Sequence, residues 1–275
     1  MKNRISQTNL SPRHLEILKS IKHDGFMSTE ELSRLLKVTV QTIRRDINEL
    51  CEKHLLRRYH GGAGLISSTE NVAYSTRQVL NHEAKIRIAE MAADFIPNNA
   101  SLFINIGTTT EEVAKALRDH RKLRVITNNL NVAGLLCGNA EFEVIVAGGV
   151  VRGDRGVIGE STIDFVRQFK VDYGIIGISG IDEDGTLLDF DYREVRVAQS
   201  IIENARHVLL VADHAKFGCN PMVRLGNISE IDAFFTDRQP PASVRELLDK
   251  SGVALYVCGA GIEEEAEADS RRLLQ

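Results

Sequence analysis

Two groups of residues in this chain have types and spacings suited to recognition chemistry. The first lies in "TVQTIRRDINEL", residues 39–50. At 100° per residue Val40, Ile43, Ile47, Leu50 and Cys51 line one side of a helix. Gln41, Thr42, Arg44, Arg45 and Asn48 are left outward, and Thr39 is placed to cap the helix. Arginine can fork onto guanine, glutamine and asparagine can pair with adenine, and threonine can meet phosphate. An ordinary solvated face carries the same types. Close behind comes "LLRRYHGGAGL", residues 55–65, where Gly61-Gly62 forces a turn between strand-like runs. Such a hairpin would carry Arg57, Arg58 and His60 to phosphate or into a minor groove, which favours positive side chains.

The second group is five loops of small residues. They are Gly107-Thr108-Thr109-Thr110, Thr127-Asn128-Asn129, Ala147-Gly148-Gly149, Gly177-Ile178-Ser179-Gly180 and Asp213-His214-Ala215-Lys216. The first places backbone N–H groups and hydroxyls at a helix start, a natural anion site. Lys216 adds a point charge suited to phosphate. One such loop is common in α/β proteins, whereas several at strand ends, with a lysine, favour a small phosphorylated ligand. Asp182, Asp184 and Glu194 are carboxylates near these loops, able to bond ligand hydroxyls or to act as a general base. The sequence has no GxGxxG and no GxxxxGK[ST], so dinucleotide and P-loop chemistry are poor readings.

The elements that must position the first group are three helices. Ser11-Pro12 is a cap followed by proline, and opens a helix with Leu15, Ile17, Leu18 and Ile21 as its stripe. Ser28 with Glu31 forms a capping box, and Leu32, Leu35 and Leu36 make the next buried face. The 39–50 segment is the third helix. Two short helices joined by a tight turn, then a basic hairpin, fit a winged helix-turn-helix. Residues 1–66 hold 12 Lys and Arg against 7 Asp and Glu, while the other 209 hold 22 against 31. The net charge of −4 therefore hides a basic head on an acidic body, and a basic head suits phosphate.

Residues 67–81 are polar with little periodicity and read as a linker. From His82 to Cys258 helical and strand-like stretches alternate, which implies a mainly parallel sheet covered on both faces. In such sheets ligands bind where strands end, at the loops named above. The tail 259–275 is acidic at first and reads as disordered. At 275 residues and 43% hydrophobic, the chain has material for two packed domains. No run of 18 apolar residues implies a membrane span, and "MKNRISQTNLSPRH" has no apolar segment of a secretory signal. Four scattered cysteines without CxxC spacing argue against a zinc site and fit a reducing cytoplasm. Neither a metal nor a cofactor is expected.

Residues 28–63, "STEELSRLLKVTVQTIRRDINELCEKHLLRRYHGGA", resemble the winged helix-turn-helix of the DeoR family of bacterial transcriptional repressors. The Thr-Ile-Arg-Arg-Asp core, the leucine pair and the His-Gly-Gly-Ala wing match residue by residue. The resemblance puts Arg44 and Arg45 on the recognition helix, with Asp46 bracing it. Residues 82–258 resemble the family's sugar-phosphate-sensing domain, whose fold is that of ribose-5-phosphate isomerase. "INIGTTTEEVAKAL", "VITNNLNVA", "GISGIDEDGTLLDFDYREV" and "DHAKFG" are similar to the branch that controls glycerol 3-phosphate metabolism genes. The resemblance covers about 250 residues and implies a repressor released from operator DNA by a small phosphorylated inducer, glycerol 3-phosphate. The effector residues it implies are Gly107, Thr108, Thr109, Thr110, Thr127, Asn128, Asn129, Gly148, Gly149, Ser179, Gly180, Asp182, Glu194 and Lys216. Paired half-sites imply a homodimer, and the family a homotetramer.

Two other classes compete. An isomerase would need a lysine and a glycine run after the acidic turn, but the stretch reads "LLDFDYREV", so that catalytic set is incomplete. A pure interaction module with a vestigial site would show no thermal shift with triose or pentose phosphates.

Overall fold

The computed structural model describes residues 10–258 apart from 25, 54, 60, 65–70 and 72. His60 and the 259–275 tail lie outside the described residues. The chain divides into two compact units, Met1–Leu80 and Asn81–Gln275.

The first unit runs α1 (Pro12–Asp24), β1 (Phe26–Ser28), α2 (Thr29–Leu36), α3 (Val40–Glu52), β2 (Arg57–Tyr59), β3 (Gly62–Gly64) and α4 (Tyr74–Val79). Ser28 and Glu31 form the expected capping box, and Lys37 ends α2 in the left-handed region at φ 53°. Ile17, Ile21, Leu32, Ile43, Ile47, Leu50, Leu56 and Ala63 form the core. The three strands pair antiparallel in the order β1-β3-β2. Gly62 is required there, because a Cβ would strike the Met27 carbonyl and lie 2.7 Å from the Phe26 ring.

Two expected core leucines face outward: Leu15 is 54% exposed and Leu35 55%. In α1 the inward place beside Ile17 goes to His14, which meets Asp46 of α3. In the short α2 the row Leu32–Leu36 packs, and Leu35 falls to one side of it. Within the stretch 67–81, read as a linker, α4 forms with no buried residue. Gln78 bonds the Tyr74 hydroxyl at 2.9 Å, an i,i+4 pair that supports a helix without any apolar period.

The second unit continues α5 (His82–Asp94), β4 (Ser101–Ile104), α6 (Thr108–Ala116), β5 (Arg124–Thr127), α7 (Leu130–Leu136), β6 (Glu143–Val146), β7 (Val150–Val151), β8 (Val157–Ile158) and α8 (Glu160–Val166). There follow β9 (Val171–Ile176), β10 (Gly180–Ile181), β11 (Thr186–Asp189), α9 (Tyr192–Glu203), β12 (Ala205–Val211), β13 (Val223–Asn227), β14 (Ala233–Thr236), α10 (Ala242–Ser251) and β15 (Ala254–Val257). Seven strands form a sheet in the order β15-β14-β12-β9-β4-β5-β6, and every neighbouring pair is parallel.

Strand alternation splits the core into two layers. Phe103, Ile126, Ile176, Leu210 and Phe234 pack with α8, α9 and α10 residues such as Ile163, Val197, Ile201 and Val244. Leu102, Ile104, Val125, Ile175, Leu209 and Phe235 pack with α5, α6 and α7 residues such as Ile88, Val113, Leu117 and Val132. The chain walks outward from β4 to β5 and β6, then returns to β9 on the other side of β4. That reversal makes the carboxyl ends of β4 and β9 the switch point, the expected place for a ligand crevice in such a sheet. Two smaller sheets stand apart, β7-β8 and β10-β11-β13, both antiparallel.

Candidate recognition surface and ligand site

Arg44 and Gln41 are exposed on α3, and no bond holds either side chain among the described residues. Arg45 reaches Glu49 at 3.4 Å, one turn on, but its side chain stays 84% exposed. A pair that open contributes at most about 1 kcal/mol and leaves the guanidinium available. Thr39 caps α3: its hydroxyl accepts the Thr42 N–H at 3.2 Å and shares a hydrogen bond with the Thr42 hydroxyl at 2.9 Å. Arg58 donates to the Asn48 side-chain carbonyl, tying the hairpin to α3. Arg57 lies over the Tyr59 ring at 5.8 Å, and Tyr59 meets Phe26 edge-on. The expected readers thus divide into unbonded groups (Gln41, Arg44), an exposed group in a surface ion pair (Arg45), capping groups (Thr39, Thr42) and braced groups (Asn48, Arg57, Arg58).

Asp46 is buried at 3% exposure. Arg13 of α1 grips both of its oxygens, Nε to Oδ2 at 2.5 Å and Nη2 to Oδ1 at 2.9 Å. That bond raises the Arg13 pKa further above its ordinary value. His14 Nε2 stands 3.4 Å from Oδ1. Asp46 therefore ties α3 to α1. A groove beside it is lined by Ser11, Arg13, Thr39, Gln41, Thr42 and Arg45, bringing the start of α1 to the start of α3. Sequence reasoning passed over Arg13, whose only signal is its place one residue after the Ser11-Pro12 cap.

In the second unit Gly107 precedes α6 at φ 156°, and a Cβ there would lie 3.1 Å from the Thr110 hydroxyl. Thr108, Thr109 and Thr110 are all buried in the first turn of α6. The Thr110 hydroxyl is committed, sharing its proton between the carbonyls of Gly107 at 2.8 Å and Asn105 at 2.9 Å. The first-turn amides point at the crevice end of the sheet, where an anion is favoured. Gly177 lies across that crevice, and a Cβ on it would meet Thr110 Cγ2 at 3.6 Å and the Ile106 carbonyl at 3.8 Å.

Thr127 and Asn129 are occupied. Thr127 donates to the Ile104 carbonyl at 2.6 Å, joining β5 to β4. Asn129 caps α7 with its carbonyl and donates to Glu111 at 3.1 Å. Asn128 donates to the Val157 carbonyl at 2.9 Å, but its own Oδ1 is buried without a donor. Asn105, at the end of β4, has the same orphan Oδ1. Sequence reasoning did not select Asn105, because a lone asparagine after a strand carries no pattern.

Gly148 and Gly149 have a packing role. The Gly148 carbonyl accepts the Thr162 hydroxyl at 2.9 Å, and a Cβ on Gly149 would come within 2.7 Å of the Ile158 carbonyl. Gly180 is pressed against the Cys219 carbonyl and lies 2.6 Å from Pro221 by the same measure. Ser179 is buried beside it. Asp182 opens the β10–β11 turn, its N–H donating to the Thr186 carbonyl at 3.0 Å. Asp184 in that turn accepts the Thr186 N–H at 2.9 Å, so it is a turn residue. The Gly218 N–H donates to the Ile181 carbonyl at 3.1 Å, which lays the loop of Lys216 along β10. Lys216 has no ion pair among the described residues. Asp213 caps that loop and accepts from Asn81 at 2.8 Å.

Glu194 is spoken for by an arginine that the sequence did not single out. Arg152, in the β7–β8 turn, reaches Asp154 at 2.6 Å, Glu194 at 2.7 Å and Asp191 at 3.1 Å. Burial lowers the Arg152 pKa, but the three carboxylates outweigh that and raise it. Burial likewise pushes the Asp191 carboxyl up, but bonds from Arg193 and Arg152 bring it down to about 2. Asn131 links this cluster to the crevice, donating to Glu111 at 3.0 Å and to the Asp154 carbonyl at 3.2 Å.

Comparison with known proteins adds the following. The model of the DeoR-like helix-turn-helix domain matches residues 13–69, and that of the DeoR C terminal sensor domain matches residues 80–238. The chain is 53% identical over 247 residues to the glycerol-3-phosphate regulon repressor of Escherichia coli (strain K12), covering 90% of this chain and 98% of that protein. It is 50% identical over 252 residues to the repressor of the same name from Haemophilus influenzae, covering 92% and 98%. It is 44% identical over 248 residues to the HTH-type transcriptional repressor CsqR of Escherichia coli, covering 90% and 95%. Among solved structures, it is similar to ribose 5-phosphate isomerase A of Methanocaldococcus jannaschii at 13% identity and a TM-score of 0.38, covering 50% of this chain and 55% of that one. Among the described residues no helix is long and apolar enough to cross a membrane.

Proposed function

From the premise that the chain belongs to the DeoR family, we propose that it is a DNA-binding repressor of glycerol 3-phosphate metabolism genes, released from its operator by glycerol 3-phosphate. One observation carries the reading: the 53% identity to the Escherichia coli repressor extends over 247 residues. The second unit alone has too few residues to hold a match that long, so the likeness takes in the α3 surface as well as the crevice.

The two surfaces support complementary tasks. Gln41, Arg44 and Arg45 offer exposed hydrogen-bonding groups at the start of a helix, as major-groove readout requires. The Arg13–Asp46 brace holds that helix to α1. In this reading phosphate sits at the α6 amides with Lys216 as its counter-charge, and the orphan carbonyls of Asn105 and Asn128 support hydroxyls at the other end. The Glu194 carboxylate is engaged by Arg152 at 2.7 Å, which supports a binding role over that of a general base. Two copies are proposed to sit on paired half-sites.

A gel shift on operator DNA, repeated with glycerol 3-phosphate, glucose 6-phosphate and ribose 5-phosphate, tests the reading. Release by the first alone is expected. Release by none of them, or isomerisation of ribose 5-phosphate that is lost in Glu194→Ala, would overturn it.

A further inference from the structure

Asn105 and Asn128 stand side by side at the carboxyl ends of β4 and β5. β4 pairs with β5 so that Ile104 lies opposite Thr127, and the asparagines are the next residue on each strand. Phe103 and Ile126, two residues earlier, both belong to the core layer under α8 and α9, so alternation turns both asparagines to that same side. They are 3% and 2% exposed.

Asn128 is one-sided, whereas the Asn105 amide bonds nothing among the described residues and can turn either its oxygen or its NH2 to a ligand. Asn128 spends its NH2 on the Val157 carbonyl at 2.9 Å, which fixes the amide and leaves Oδ1 as the spare acceptor. The Asn105 main chain is used as well, its N–H donating to the Ile175 carbonyl at 3.1 Å and its carbonyl accepting from Thr110. Its Oδ1 has no donor among the described residues. A buried acceptor without a donor is costly, and nearly all such groups in folded proteins have a partner. Neighbouring strands run about 4.8 Å apart, so two such residues can reach hydroxyls of one small ligand. The first turn of α6 begins three residues after Asn105.

We infer that Asn128 is a specificity residue that selects a polyol monophosphate over the ketone of the same carbon skeleton. This rests on the effector reading above and extends it. A hydroxyl can donate to its orphan oxygen. A ketone oxygen can only accept, so it would leave Asn128 Oδ1 unpaired and face it lone pair to lone pair, which is a repulsive element. Thr127 and Asn129 cannot substitute, because their polar atoms are already bonded within the chain.

The test is calorimetric titration of the full chain with sn-glycerol 3-phosphate, dihydroxyacetone phosphate and inorganic phosphate. Wild type is expected to prefer glycerol 3-phosphate over dihydroxyacetone phosphate by roughly tenfold or more, the scale of one lost hydrogen bond and its orphaned partner. Asn128→Ser should bring that preference towards parity and leave inorganic phosphate binding unchanged, whereas Asn105→Leu should keep the preference. Asn105→Leu should melt, unliganded, no lower than wild type, since it deletes an unpaired acceptor. A folded Asn128→Ser that keeps the preference, or a wild type with none, would refute the inference while leaving the effector reading intact. If wild type binds none of the three compounds, both fall together. If Asn128→Ser does not fold, the wild-type preference decides alone.

Discussion

Replacing Asp46 by alanine removes the acceptor for two bonds from Arg13, at 2.5 and 2.9 Å, and the oxygen 3.4 Å from His14. Hydrogen bonds to a charged group contribute about 1.5–3 kcal/mol each where buried. Asp46 is 5% exposed at its side chain but Arg13 is 40% exposed, so solvent screens the arginine end. The loss should therefore total about 2–3 kcal/mol, below the sum of two fully buried bonds. For a unit of this size that lowers the melting temperature by roughly 8–24 °C. The assay is a double-mutant cycle, with Arg13→Ala, Asp46→Ala and both together followed by thermal unfolding of the first unit in the full chain. A coupling energy of at least about 1 kcal/mol is expected, with the double variant no worse than Asp46→Ala alone. Additive losses, with coupling below about 0.3 kcal/mol, would refute the brace and reduce the pair to a surface contact.

Arg44→Ala should cost about 1–3 kcal/mol of operator binding and relax discrimination at one base position, read by a binding assay over a set of single-base operator variants. Uniform weakening across all sequences would place Arg44 on phosphate instead. Gly149→Ala should destabilise the second unit by about 1–3 kcal/mol in urea melts, because the new Cβ meets the Ile158 carbonyl at φ 155°; a midpoint equal to wild type would contradict that packing. Asp191 is held at about 2, below its ordinary 3.8, so its contribution is present above about pH 4 and is lost as pH falls towards 2. Thermal melts between pH 5 and 2 should show a shallower fall for Asp191→Asn than for wild type, and parallel curves would deny the Arg152 and Arg193 bonds that role.

Local chemistry was legible in the sequence, whereas long-range pairing was not. Ser28 and Glu31 announce the start of α2 because capping is a three-residue event. The sheet strands read as apolar runs because burial on both faces demands it. The order β15-β14-β12-β9-β4-β5-β6 could not be read, since nothing local records which strand lies beside β4. The two-residue strands β7, β8 and β10 are too short to show a period. At the crevice, residue types pointed to the right loops, but types do not reveal which lone pairs are already spent. Thr127 and Asn128 looked equivalent, and only the bonds of Thr127 to Ile104 and of Asn128 to Val157 separate them. Arg152 stayed hidden because its three carboxylate partners come from its own turn and from α9.

The bonds on either side of α3, Arg13 to Asp46 and Arg58 to Asn48, also bear on rates. They fix the helix and the hairpin during folding, so little conformational freedom remains to be lost when DNA arrives. Encounter then resembles the docking of a rigid surface, with an arrival rate nearly independent of operator sequence. Differences in affinity among operators should accordingly appear in how long the protein stays bound.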